Sequence, residues 1–247
     1  MIKTAVIIAA GFGMRIKDHF SLKPKGFIEI GNLPIIERSI NILFKNNINK
    51  IIIGTGYKSE YFEKLAKKYS QIKCIKNKEY FTTGNVYTLY NMKDYIKDDF
   101  LLLESDLIYE EKAIKEILSD PRDDIILASG WTYSGDEFYI EVDENYNLIN
   151  MSKNKNKLNK LFAELVGISK ISINTFKKFC NWAEKYLKKD IKIDYEYALT
   201  VISKNTPIFV KKIENLIWSE IDNKSHLKRA ITKIYPQIYK KENEDTL

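Results

Sequence analysis

The stretch TAVIIAAGFGMRIKDHFSLKPKGF, residues 4–27, decides the fold. It starts as a continuous apolar run and passes directly into glycines at 11 and 13, then Arg15, then the pair Pro24-Lys25. A short apolar run of this kind reads as a strand buried on both faces, as in the interior of a parallel sheet. The next segments agree. LPIIERSINILFKNN has helical apolar spacing at Ile36, Ile40 and Leu43, KIIIGTG reads as a second strand, and SEYFEKLAKKY reads as a helix with Ser59 as its N-cap. IKCIKN, NVYTLYNMKDYI, FLLLESD and EEKAIKEILSD continue the alternation as strand, helix, strand and helix, the third helix starting at Asn85 and the last stopping before Pro121. Strands alternating with helices predict an α/β fold with a doubly wound, mostly parallel, Rossmann-like sheet covered on both faces.

The rhythm changes near residue 125. DIILASG, EFYIEVDENYNLINMSK and LFAELVGISKIS read as strands joined by tight turns, with a hairpin around Glu144 and Asn145. A smaller antiparallel, substrate-covering portion is expected over about 125–171. Two helices, NTFKKFCNWAEKYL and DYEYALTVISK, then the strand PIFVKKI and the helix NKSHLKRAITKIY complete one domain over 1–238. The polar segment 239–247 reads as a disordered tail or the start of a linker to a fused domain.

Composition narrows the class. With 247 residues and 45% hydrophobic content the chain can bury a sizeable core. No apolar run approaches the roughly 18 residues of a membrane span, and no signal-peptide layout opens the chain, so a cytoplasmic protein without membrane insertion is expected. Cys74 and Cys180 lack metal-ligand spacing and read as reduced thiols. The net charge of +7 is spread along the chain among 33 acidic residues, which points to a lysine-rich surface rather than nucleic acid.

In open parallel sheets, ligands bind at the carboxyl ends of the strands. The glycine loop lies there, where backbone amides can approach a polyphosphate and Arg15 and Lys25 can meet its oxygens. A Walker loop would end Gly-Lys-Ser/Thr, but Met14 and Arg15 follow Gly13; a dinucleotide fingerprint would need glycine at position 16, which is Ile16. The remaining pattern, Ala-Ala-Gly-x-Gly-x-Arg followed by Pro24-Lys25, resembles the nucleotidyltransferase superfamily that makes nucleotide-activated sugars and head groups. GTGY at 54–57, NKEYFTTGNVYTLY at 77–90, ESDLIY around Asp106 and WSEIDNKSHLKRA around Asp222 extend the resemblance over nearly the whole chain, towards 2-aminoethylphosphonate and choline-phosphate cytidylyltransferases.

The resemblance implies a transfer of CMP from CTP to a small acceptor. It implies Arg15 and Lys25 as the catalytic cations, and Asp106 and Asp222 as ligands of Mg2+, which favours hard carboxylate oxygens. It places the nucleotide against Ala10, Gly11, Phe12, Gly13, Gly54, Tyr57, Thr83, Gly84 and Asn85. Read without it, Asp106 and Asp222 serve equally well as helix caps, Lys25 as a surface lysine and Arg15 as a salt-bridge partner. Glu104 shares a strand face with Asp106 but departs from the Asp-x-Asp of many relatives.

For the acceptor, SGWTYSGDEFYIEVDENYN combines Trp131 and Tyr133 with Asp136 and Glu137, a mixture suited to an ammonium group, although aromatic cross-strand pairs would give the same pattern. Asp194 and Glu196 add carboxylates, and Lys153 a cation for a phosphate or phosphonate. A quaternary ammonium has no N–H to donate, so the acids rank 2-aminoethylphosphonate ahead of phosphocholine. A sugar 1-phosphate acceptor, a catalytically silent nucleotide sensor and a homo-oligomer stay open.

Overall fold

The computed structural model describes residues 2–11 and 23–244. Nine strands form one sheet. Its parallel centre is β1 (Thr4–Ala9) between β4 (Lys50–Thr55) and β6 (Phe100–Glu104), with β5 (Ile72–Lys76) beyond β4. Register is in step across the centre: Thr4 pairs with Lys50 on one side and Phe100 on the other, so all three chains reach the same rim together. The opening hairpin, β2 (Glu29–Ile30) and β3 (Leu33–Pro34), turns through Gly31 and Asn32, both with positive φ.

The antiparallel portion is not a separate layer. β11 (Ala163–Ile171) runs antiparallel beside β6 and carries β8 (Ile125–Ser129) and the hairpin of β9 (Tyr139–Val142) and β10 (Leu148–Ser152) into the same sheet, while β12 (Phe209–Ile213) lies parallel to β8. β11 serves two neighbours by bending. Its register with β8 shifts between Leu165 and Ser169, around Gly167, whose φ is +81°. A short pair, β7 (Leu107–Tyr109) with β13 (Trp218–Glu220), stands off the main sheet.

Period-2 alternation in the strands divides the core. Ala5, Ile7 and Ala9 face one layer, with Ile36, Ile40 and Leu43 of α1 (Ile35–Lys45), Phe62 and Leu65 of α2 (Ser59–Ala66), and Ile114 and Ile117 of α4 (Lys112–Ser119). Val6 faces the other, with Val86 and Leu89 of α3 (Asn85–Asn91), Phe176 and Phe179 of α5 (Ile173–Tyr186), and Leu199 and Ile202 of α6 (Tyr195–Ser203). Burial of both faces is why these strands are apolar throughout rather than alternating. Among the described residues no helix is long and apolar enough to cross a membrane.

The structure differs from the sequence reading at two helix ends. Ser59 is not the cap of α2: that place falls to Lys58, in left-handed conformation, and Ser59 is the first, buried, helical residue. At the C-terminus α7 (Lys224–Arg229) runs through a π-helical turn, Ala230–Ile234, into α8 (Tyr235–Glu244), so residues 239–244 are helical and not a disordered tail. Ile238 is completely buried, Arg38 pairs with Glu242, and Lys241 with Glu110. A sequence too polar to bury itself is thus held through its few inward positions and cross-element ion pairs.

Candidate active site

At the carboxyl rim of the parallel strands the chain ends β1 with Ala10 and Gly11, β4 with Gly56 and Tyr57, and β6 with Ser105 and Asp106. The Tyr57 N–H donates to the Ala10 carbonyl (3.2 Å), tying the first two rims together. A Cβ on Gly56 would lie 2.7 Å from that carbonyl and 2.5 Å from Tyr80, so glycine is what lets these segments meet. Phe12, Gly13 and Arg15 lie outside the described residues.

Lys25 opens a 3-10 turn, Lys25–Phe27, pressed against the β6–β7 turn. A Cβ on Gly26 would stand 3.1 Å from the Ser105 carbonyl and 3.3 Å from Ile36, so this glycine sets how closely Lys25 approaches. The Lys25 ammonium donates to Asp106 Oδ2 (2.8 Å) and to Asp222 Oδ1. Burial pulls its pKa down, but the two carboxylates outweigh burial and hold it raised. Neither aspartate caps a helix. Asp106 lies in the turn between β6 and β7, and the cap of α7 is Asn223, whose Oδ1 accepts from the His226 N–H (2.9 Å), which leaves the Asp222 carboxylate to face Lys25.

Two further acids join them. Carboxylate oxygens of Glu104, Asp106 and Glu220 lie within 4.8 Å of one another. Glu220 is pushed up to about 10 by burial, then by Asp106, Glu104 and Asp222; Glu104 is raised by burial, then by Glu196 and Asp106. Glu104 is held in place by the Tyr195 hydroxyl, which donates to its Oε1 (2.7 Å), and by Gly167, where a Cβ would come within 3.1 Å of the carboxyl carbon. Such a set of hard oxygens, with the Lys25 ammonium for counter-charge, could hold a divalent cation. Sequence reading gives Glu220 no role, yet a signal was there: Glu104-x-Asp106 and Glu220-x-Asp222 share one spacing, each beginning at the last residue of a strand.

The acceptor residues separate into two places. Asp136, Lys153 and Glu196 line one cleft with Glu104, Glu164, Glu220, His226 and Arg229. Lys153 pairs with Asp136 (2.9 Å); burial pulls its pKa down, but Asp136, then Glu220 and Asp222, hold it raised. Asp194 adds its charge to this group, and Glu196 is pushed up to about 7 by burial and then by Asp194. Glu196 is 7% exposed, and among the described residues its Oε2 has no hydrogen-bond partner. Trp131, Tyr133 and Glu137 face elsewhere, in a surface hollow shared with Tyr139, Lys155 and Leu161. The Tyr139 hydroxyl donates to Glu137 (3.0 Å), and the Lys155 ammonium lies over the Tyr139 ring, 4.7 Å from its centre.

The residues around the second loop do structural work. Gly54 is buried beneath α3, where a Cβ would meet Thr88 at 2.7 Å. Gly84 abuts the 191–193 segment, where a Cβ would meet the Ile193 carbonyl at 2.3 Å. Thr83 Oγ1 accepts from Asn77 (2.9 Å) and donates to the Glu79 carbonyl. Asn85 Oδ1 accepts the Tyr195 N–H at 2.6 Å, and its side chain also bonds Glu196, so it caps α6 from a neighbouring element.

Known proteins share this architecture. A family model described as nucleotidyl transferase matches residues 4–137. CTP:phosphoglutamine cytidylyltransferase of Campylobacter jejuni is 24% identical over 93% of this chain and 99% of its own length. Choline-phosphate cytidylyltransferase of Streptococcus pneumoniae is 34% identical, but over 40% of this chain and 42% of its own length. Among solved structures, the inositol-1-phosphate CTP transferase of T. maritima superposes with a TM-score of 0.80 at 18% identity, covering 97% of this chain and 96% of that one.

Proposed function

The chain belongs to the nucleotidyl transferase family, and on that premise we propose that it is a cytidylyltransferase that transfers CMP from CTP to a small zwitterionic phosphonate or phosphate, 2-aminoethylphosphonate first. Relatives of similar sequence act on phosphoglutamine, choline phosphate and 2-aminoethylphosphonate by name, which supports CTP and an acceptor of this class. An acceptor oxygen attacks the α-phosphorus, the bond from that phosphorus to the bridging oxygen breaks, and pyrophosphate departs. The acceptor oxygen is already ionised, so no side-chain nucleophile is needed.

In this reading Mg2+ would be held by Asp106 and Asp222, with Glu104 and Glu220 as further oxygen donors; the donor set is all hard oxygen, as that ion requires. When bound it would neutralise charge on the triphosphate. Lys25, with Arg15 from the segment outside the described residues, supplies cations to the phosphates. Lys153, lining the same cleft, would supply a cation to the acceptor's anionic end.

Glu196 carries the choice of acceptor. A buried carboxylate oxygen without a partner among the described residues, lining the cleft with Lys153 and Asp136, is costly unless a ligand supplies a donor. A primary ammonium brings N–H groups to it; a trimethylammonium brings none. The aromatic hollow at Trp131, Tyr133 and Tyr139 favours phosphocholine as the second reading, since ring faces suit a quaternary cation. Pyrophosphate release, measured with CTP, UTP, ATP and GTP crossed against 2-aminoethylphosphonate, phosphoethanolamine, phosphocholine and glucose 1-phosphate, tests both. Turnover is expected with CTP and 2-aminoethylphosphonate. Turnover with glucose 1-phosphate alone would overturn the acceptor reading, and CTP binding without turnover would make the protein a sensor.

A further inference from the structure

His226 is 3% exposed and lines the acceptor cleft. Both its ring nitrogens are engaged. The Asp222 N–H donates to Nδ1 (3.4 Å), and Nε2 lies 3.3 Å from the Ser134 carbonyl. One protonation state satisfies both partners: Nδ1 must be bare to accept, so Nε2 carries the hydrogen and donates.

Each partner belongs to a different half of the site. Asp222 supplies one of the carboxylates bound to Lys25. Ser134 lies in the loop from β8 to β9, which brings Thr132, Ser134 and Asp136 to the cleft. That loop is held in an unfavourable shape. Tyr133 and Gly135, on either side of Ser134, have φ of +53° and +91°, and Tyr133 is 85% exposed, so its own side chain packs against little that could hold the turn. The turn aims the Ser134 carbonyl inward at the imidazole. Other ties of the loop reach the sheet: Thr132 donates twice to Glu164 (2.7 Å each), and Asp136 pairs with Lys153 on the segment after β10.

We infer that His226 is a positioning residue that couples the acceptor-side loop to the backbone of Asp222, so that the two halves of the transfer site are set by one buried imidazole. The inference rests on the transferase reading. It gives each nitrogen a separate kinetic signature. His226→Asn keeps an acceptor near the Nδ1 position but cannot reach Ser134, so the acceptor KM should rise about fivefold and by more than kcat falls. His226→Gln can place a donor near the Nε2 position but leaves the Asp222 N–H unpaired, so kcat should fall by more than KM rises. A residue that only fills space would give two variants with the same kinetics, scaled together by their folded fraction.

The experiment is steady-state pyrophosphate release by the full chain, with CTP saturating and the acceptor varied, for wild type and both variants, with melting temperatures recorded for each. Alongside it, nitrogen–proton correlation spectra of the imidazole, assigned by the loss of its signals in the Gln variant, should show the neutral Nε2-protonated form. Opposite splits and that tautomer support the coupling. Parallel kinetic losses, or an Nδ1-protonated ring, overturn it. Wild-type protein that releases no pyrophosphate with any acceptor overturns the transferase reading instead, and the tautomer then decides the coupling alone.

Discussion

Lys25→Ala separates the structural from the chemical role of the site. The Lys25 side chain is 19% exposed, with Asp106 at 14% and Asp222 at 4%, so the triad is largely withdrawn from solvent screening. Removing one partner of such a buried ion pair leaves the other charge uncompensated, at about 3–5 kcal/mol. Here two carboxylates lose one ammonium; water entering the space left by the side chain offsets part of the loss. Taking about 3 kcal/mol, and about 2–4 °C per kcal/mol for a chain of this size, the melting point should fall by about 6–12 °C. Turnover should fall by about 10²–10³, the usual scale for removing one preorganised charge from a transition state. Calorimetry with divalent ions chelated, and pyrophosphate release with them present, measure the two effects. The double variant Lys25→Ala/Asp222→Asn should recover part of the melting point and none of the turnover, because it removes the surplus charge without restoring the cation. A single variant that melts with wild type and turns over at the wild-type rate would refute the reasoning outright.

Glu220→Gln should raise the melting point in chelator at alkaline pH while lowering turnover. A carboxyl raised to about 10 binds a proton in the folded state that the unfolded chain releases, so its stabilising contribution is largest at low pH and is lost as pH climbs towards the folded value. If wild type and variant melt in parallel across that range, Glu220 does not titrate as described. Asn85→Ala removes the acceptor for the Tyr195 N–H and should cost about 1 kcal/mol, or about 2–4 °C. An unchanged melting point with a raised KM for CTP alone would give Asn85 to the nucleotide rather than to α6.

Much of the fold is legible in the order of residues because the strands carry both core faces in their own pattern. TAVIIA, KIIIGT and FLLLE cannot be half-exposed, and the helical segments between them have an apolar stripe apiece. The rim position of Lys25, Asp106 and Asp222 follows from where each motif ends its strand or turn, a local property. Reading Asp106 and Asp222 as caps fails for an equally local reason: a neighbour, Asn223, takes the capping role, and Asp106 sits in a strand-to-strand turn.

The order of residues could not weigh contacts between segments far apart along the chain. The polar end of the chain is helical because Arg38 and Glu110 reach it from distant elements. Asn85, which the resemblance implies for the nucleotide, accepts the first N–H of a helix that starts 110 residues further along the chain. The aromatic and acidic stretch after Ser129 reads as one pocket, but it is a loop whose backbone turns left-handed at Tyr133 and has positive φ at Gly135, so Asp136 enters the cleft while Trp131, Tyr133 and Glu137 line a separate hollow. Residue types and their spacing determined the chemistry available; tertiary packing decided which of those groups share a site, because burial, charge and hydrogen-bond partners exist only between segments once they are brought together.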